Sequence, residues 1–240
     1  MARHLLTDPR LAVRIEAGRV LAAVPPASLG PDDGMALRDA IGAYAAMQEA
    51  NTERPESHLN LANLYAEQGD LLRAEMAYKK ALQIDPRFVP AAINLADLYR
   101  AQRMDPEGER ILKSVSKAAP DNAALHHALG LLYVRQKKLD EAIASLQRAA
   151  ALSPDNARYA YVYGVALNSV RRVDEALQVL ERGFVANPFD VDLLFMLAVL
   201  HRDNGDRDRA LTYAESLVEV APHVREFRDL LSKIRKSRAQ

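Results

Sequence analysis

Cysteine is missing from the chain altogether, which excludes disulfides, thiolate zinc sites, cysteine nucleophiles and haem attachment through a CxxCH motif. A surplus of either charge is missing too. Lys plus Arg and Asp plus Glu each total 32 in 240 residues, so no global field draws in nucleic acid or an anionic membrane. No stretch approaches the roughly 18 apolar residues of a membrane-spanning helix, and the opening residues MARHLLTDPR interrupt any secretory apolar run with Asp8 and Pro9. Phosphate loops, GxSxG elbows and HExxH pairs are equally absent. His126 and His127 form the one adjacent histidine pair, and neighbours on a helix point about 100° apart, so they do not converge on one metal. The acidic pairs Asp140-Glu141 and Asp174-Glu175 recur at one place in a repeating pattern, which fits helix-start electrostatics better than an acid-base couple. The chain therefore reads as non-enzymatic, with no cofactor and no metal.

What is present is a period. Pro86, Pro120, Pro154, Pro188 and Pro222 stand 34 residues apart without insertion or deletion. Aligning the chain on them gives segments at 55–88, 89–122, 123–156, 157–190 and 191–224. The seventh position of each reads Leu61, Leu95, Leu129, Tyr163, Leu197, and the eighth reads Ala62, Ala96, Gly130, Gly164, Ala198. A small eighth residue lets a partner helix approach closely, so it marks a helix crossing. Bulk follows at Tyr65, Tyr99 and Tyr133, with Leu167 and His201 in the last two segments. The second half of each segment carries a small residue at Ala74, Gly108, Ala142, Ala176 and Ala210, followed four residues later by Tyr78, Leu112, Leu146, Leu180 and Ala214, one helical face. Proline then closes the helix, and Asp-Asn at 121–122 and 155–156 offers N-caps for the next.

These small, aromatic, small, bulky and proline positions over 34 residues resemble the tetratricopeptide repeat (TPR) across about 170 residues. The resemblance implies an all-α superhelical solenoid of five helix-turn-helix repeats, whose first helices line a concave groove holding extended peptides or helices.

Terminal repeats need polar-backed caps. At 225–240, Phe227, Leu230, Leu231 and Ile234, with Val224 just before, follow helical spacing opposite Arg225, Arg228, Asp229, Lys233 and Arg235, predicting a capping helix. The basic run Lys233, Arg235, Lys236 and Arg238 reads as a solvated helix end. Residues 1–54 read as an N-terminal helical cap. Ala40, Tyr44 and Met47 fall where a degenerate repeat would place its second-helix core, after Pro31 and an Asp32-Asp33 helix start. Ahead of it, Asp8-Pro9, Val13-Arg14, Ala17 and Leu21 resemble a single HEAT-type helix before a Val24-Pro25-Pro26 break. A HEAT helix leading into such repeats is similar to the C-terminal region of some bacterial multihaem cytochrome c-like proteins, whose CxxCH motifs are not in this sequence. The expectation is that the chain is the C-terminal piece of something longer. A complete chain would be cytoplasmic, and a fragment of an exported cytochrome-like protein would be periplasmic.

In the TPR family the groove is lined by positions 2, 5, 6, 9, 12 and 13. Those positions here include Asn60, Asn63, Glu67, Asn94, Asp97 and Arg100 in the first two repeats. Carboxamides both donate to and accept from a peptide backbone, so they bind extended chain without demanding a sequence. Asn60 and Asn94 share one repeat position and suggest an asparagine ladder. The carboxylate clamp of chaperone-binding TPRs is excluded. Asn63 and Asn94 match its two asparagines, but Leu59, Ala124 and Ala128 stand where its cations belong, leaving a desolvated carboxylate uncompensated. Further along, position 5 reads His127, Tyr161 and Phe195, and position 9 reads Leu131, Val165 and Val199. That apolar, aromatic stripe suits a helix or apolar peptide. The expected function is a protein-binding scaffold whose partner is another protein or peptide. The alternatives are a substrate-recruiting or docking domain of a larger enzyme or multihaem cytochrome, and a self-association element forming a homodimer.

Overall fold

The computed structural model describes residues 2–238, with the side chains of Ser237 and Arg238 outside the description. Thirteen α-helices and no strand are found among the described residues. Helices α1 (Leu11–Val20) and α2 (Pro31–Glu49) are followed by five pairs with one geometry. The first members are α3 (Pro55–Glu67), α5 (Val89–Ala101), α7 (Ala123–Arg135), α9 (Ala157–Ser169) and α11 (Val191–Asp203), each of 13 residues. The second members are α4 (Leu71–Ile84), α6 (Asp105–Ala118), α8 (Leu139–Leu152), α10 (Val173–Ala186) and α12 (Arg207–Val220), each of 14 residues. Helix α13 (Arg225–Arg238) closes the chain. The helices form two compact units that meet in sequence at Pro120 and Asp121.

One cap chemistry starts the last three pairs, and one turn geometry joins the helices inside all five. Asn122, Asn156 and Asp190 cap α7, α9 and α11 by accepting from the backbone N–H three residues on, at 3.1, 3.2 and 2.9 Å. Asp121, beside the capping Asn122, instead accepts from Arg148. The turn inside each pair is a left-handed C-cap. Asp70 N–H donates to Tyr65 O at 2.8 Å, and Met104, Lys138, Arg172 and Asp206 repeat that bond one turn of the pattern apart. The residue before each donor has positive φ: Gly69 and Gly205 at 77° and 83°, and Arg103, Lys137 and Arg171 at 61°, 60° and 64°. Three bulky residues thus hold a conformation that glycine adopts without penalty.

In the first unit, α1 packs on α2. It crosses α2 at Gly18, where a Cβ would lie 2.7 Å from the Ala40 carbonyl carbon and 2.8 Å from its Cβ. Leu6, Ala17, Leu37, Ala40, Ile41, Tyr44 and Leu64 close one cluster there. Ala40 and Tyr44 are buried as the repeat frame predicts, but Met47 is 44% exposed and the neighbouring Gln48 is buried instead. The 19-residue α2 is longer than the 14-residue second helices at its N-terminal end, so its added length does not account for the exposure of Met47. The α3–α4 and α4–α5 seams form a second cluster around Leu61, Ala74, Tyr78, Leu95 and Tyr99.

In the second unit, the eighth-position glycines sit at helix crossings. A Cβ on Gly130 would meet Leu146 Cγ at 2.5 Å, and one on Gly164 would meet Leu180 Cγ at 2.6 Å. Leu230, Leu231 and Ile234 of α13 are buried against Ala210, Ala214 and Leu217 of α12, and Phe227 packs on the same cluster. Arg235 pairs with Glu215 at 2.8 Å, while Lys233 and Lys236 are exposed. The side chain of Arg238 lies outside the described residues.

Candidate functional site

On the first unit, α2, α3 and α5 present neutral hydrogen-bonding side chains around a cavity of about 580 Å³. Asn63 Oδ1 accepts two bonds, from Tyr78 Oη at 2.7 Å and from Asn94 Nδ2 at 2.9 Å. Asn60 Nδ2 donates to Gln48 Oε1 at 3.1 Å. The asparagines are therefore linked differently from a ladder of equivalent positions. Position 6 of the second repeat, Asn94, meets position 9 of the first, Asn63, while Asn60 turns to α2. Which residue each asparagine meets is set by how α5 packs on α3 and α3 on α2, which the position in a repeat does not specify. Burial pushes the Tyr78 and Tyr44 phenols above their usual value, which keeps both as neutral donors. Glu67 and Arg19 complete the lining. Asp97 and Arg100 lie outside this cavity, exposed on α5 and paired with each other at 3.0 Å. Gln48 and Arg19 are cavity residues that the repeat frame did not single out, and Tyr44 and Tyr78, which it placed in the core, line the cavity as well. One signal was present: Tyr78 stands where the other repeats have Leu or Ala, and its hydroxyl needs a partner that aliphatic residues do not.

On the second unit, α7, α9 and α11 carry the predicted apolar face in two layers. Val165 and Phe195 are each 37% exposed, whereas Leu131 and Tyr161 are half-buried against the core. Val199 packs on the α12–α13 cluster. Arg158 lies over the Tyr161 ring at 5.7 Å, and the Phe195 and Phe227 rings are 5.9 Å apart. The exposed contact area is therefore narrower than the sequence stripe, because neighbouring helices take up half of it. The His127 ring stands 4.7 Å from Tyr159, and its Nδ1 has no hydrogen-bond partner.

Burial, with a smaller contribution from Arg158, holds the His127 pKa below its ordinary 6.5. Between the two values the unfolded chain binds more protons, so stability from neutral His127 is full above pH 6.5 and falls as the pH drops through the folded-state value. His127→Tyr, which installs the residue found at the equivalent position 161, is expected to flatten the loss of Tm between pH 7 and 5. Thermal melts with identical acid limbs for both proteins would contradict the assignment.

Among the described residues, no three His, Asp or Glu side chains gather as metal ligands, and no helix is long and apolar enough to cross a membrane. Paired helices repeating every 34 residues define an α-helical repeat architecture. Profiles of the tetratricopeptide repeat match residues 65–132 in one case and 37–87, 127–191 and 164–223 in another, and the chain belongs to the TPR family. No curated protein sequence matches it. Among solved structures it is similar to YrrB, a TPR protein with an unusual peptide-binding site, at 24% identity and TM-score 0.59 over 80% of this chain and 96% of that one. Pseudomonas aeruginosa PilF matches at 18% identity and TM-score 0.62, over 91% of this chain and 99% of PilF. MamA matches at 24% identity and TM-score 0.59, over 69% and 91%. At these identities the likeness establishes the shared fold. TPR folds generally serve as protein–protein interaction scaffolds and are typically non-catalytic.

Proposed function

We propose that this protein is a non-catalytic module that holds another polypeptide on the faces of its first helices. The α2/α3/α5 cavity reads main chain, and the α7/α9/α11 face takes apolar side chains. The observation that carries this reading is the double acceptance at Asn63 Oδ1. With that oxygen occupied, the Asn63 amide remains as a donor and the Asn94 carbonyl as an acceptor, the pair that an extended backbone requires. Neutral groups at the base of the cavity bind a peptide without the desolvation penalty of a buried charge. YrrB supports the reading in general terms, as a structurally similar TPR protein with a peptide-binding site.

The test is a titration of ¹⁵N-labelled protein with several unstructured peptides of unrelated sequence. The side-chain amides of Asn60, Asn63 and Asn94 are expected to shift with more than one of them. For apolar peptides, Tyr161→Ser with Phe195→Ser is expected to weaken binding roughly tenfold, the size of a lost aromatic contact, with helicity preserved. Peptides that bind without moving those amides, together with unchanged affinity in the double variant, would sink the proposal. A stable dimer in light scattering that buries Tyr161 and Phe195 would replace it with self-association.

A further inference from the structure

Most asparagine side chains of this chain are held by hydrogen bonds. Asn122 and Asn156 cap helices, Asn187 donates to Asp155 O and Gly183 O, and Asn51 donates to Met47 O at 3.0 Å. Asn60, Asn63 and Asn94 belong to the network of the α2/α3/α5 cavity. Among the described residues, Asn168 and Asn204 are the two whose side chains make no such bond. Their settings differ. Asn168 lies inside α9, partly buried, and is followed by Ser169, which carries a Cβ. Asn204 stands exposed just beyond the end of α11 and is followed by Gly205. The fold does not ask for asparagine there, since the equivalent positions hold Gln68, Gln102, Gln136 and Val170.

An asparagine followed by glycine is open to attack from within the chain, because no Cβ shields the glycine nitrogen. The Gly205 backbone nitrogen attacks the Asn204 side-chain carbonyl carbon, its proton passes to solvent, and the side-chain nitrogen leaves as ammonia. Water then opens the cyclic imide at one carbonyl or the other, giving aspartate or isoaspartate. In the folded turn, Gly205 N–H donates to Arg202 O at 3.1 Å and Asp206 N–H to His201 O at 2.9 Å. Attack therefore waits for this turn to open, and helix ends open at low cost.

We propose that Asn204 is a site of spontaneous deamidation, and that its isoaspartyl product loosens the α11–α12 turn and so weakens the apolar face to which α11 contributes Phe195 and Val199. The second half rests on the reading of that face as a binding surface. Isoaspartate lengthens the main chain by a methylene between α11 and α12, so the bond from Asp206 N–H to His201 O that closes the turn is lost. The new carboxylate also stands at the C-terminal end of α11, where the helix dipole disfavours negative charge.

The test keeps the wild type, Asn204→Gln and Asn204→Asp at mildly alkaline pH, where the attack is fastest, and samples them by tryptic mass spectrometry. The change from amide to acid is expected first in peptide 203–207, at least about tenfold sooner than at Asn168 or the hydrogen-bonded asparagines. Chromatography against both synthetic forms of that peptide is expected to show isoaspartate. Converted wild type is expected to melt lower and to bind apolar peptides at least about threefold more weakly. Asn204→Gln is expected to keep both values throughout, and Asn204→Asp, which has the charge but the ordinary main chain, to stay near them. Conversion at Asn204 no faster than at Asn168 would overturn the modification and leave the binding reading untouched. Conversion with an unchanged Tm, or a loss equally large in Asn204→Asp, would overturn the loosening of the turn. Failure of fresh wild type to bind apolar peptides would sink the binding reading, and with it the weakening of the face, but not the modification, which mass and melting read separately.

Discussion

Replacing Asn63 by leucine is expected to lower stability by about 1–3 kcal/mol, the usual cost of leaving a buried donor without its acceptor. It should also abolish the response of the α3/α5 cavity to extended peptides. Tyr78 is buried, and its hydroxyl donates to Asn63 Oδ1 at 2.7 Å. Asn94 Nδ2 donates to the same atom at 2.9 Å. Leucine has similar volume but accepts nothing, so both donors lose their partner at once. Asn63→Asp keeps an acceptor at that place and is expected to recover most of the stability, while its added charge alters the cavity toward peptides. Urea unfolding of the three proteins separates the effects. Equal midpoints for Asn63→Leu and the wild type would show that the bonds contribute nothing, and full peptide response in Asn63→Leu would remove the cavity from the binding surface.

Gly164 is the second position with a large expected effect. An added Cβ would stand 2.6 Å from Leu180 Cγ, 2.8 Å from Cδ2 and 3.1 Å from Cδ1, so the whole isobutyl group is in the way. Overpacking of this kind costs about 1–3 kcal/mol, which outweighs the helix-propensity gain of about 1 kcal/mol that alanine brings over glycine. Gly164→Ala is therefore expected to destabilise, and Gly164→Val more so. In the fifth repeat the two equivalent positions hold Ala198 and Ala214, both fully buried. Leu180→Ala alone should cost about 2–5 kcal/mol through the space it leaves, but Gly164→Ala should become neutral or favourable in that background. A double-mutant cycle reads the coupling, expected at about 0.5–3 kcal/mol for residues in contact. Strict additivity would mean that the two helices shift freely and that the glycine is not required by the crossing.

Much of the fold was legible because its signals are local. Small residues at 62, 96, 130, 164 and 198, prolines every 34 residues and capping Asn or Asp state where helices cross and end. The apolar face was legible in outline, since Val165 and Phe195 are exposed as the repeat positions imply. Its extent was not, because Leu131, Tyr161 and Val199 are shared with neighbouring helices, and sharing depends on how consecutive pairs pack. At the N-terminal end the frame held for Ala40 and Tyr44 and failed at Met47, where Gln48 is buried instead. The partners of Asn60 and Asn94 were not legible for a related reason: position in a repeat fixes a residue's face along its own helix, not which residue of the next helix it meets.

The sequence by itself determined an all-helical repeat protein of the TPR family, with the places where its helices begin, cross and stop, since each follows from the size or hydrogen bonding of a residue and its near neighbours. Tertiary structure decided what those residues do together. It brought Tyr78 and Asn94 onto one oxygen of Asn63. It also held Arg103, Lys137 and Arg171 in the left-handed turn that Gly69 and Gly205 adopt without strain. In each case the cause is the relative placement of helices, which sets distances and directions that a one-dimensional period leaves free.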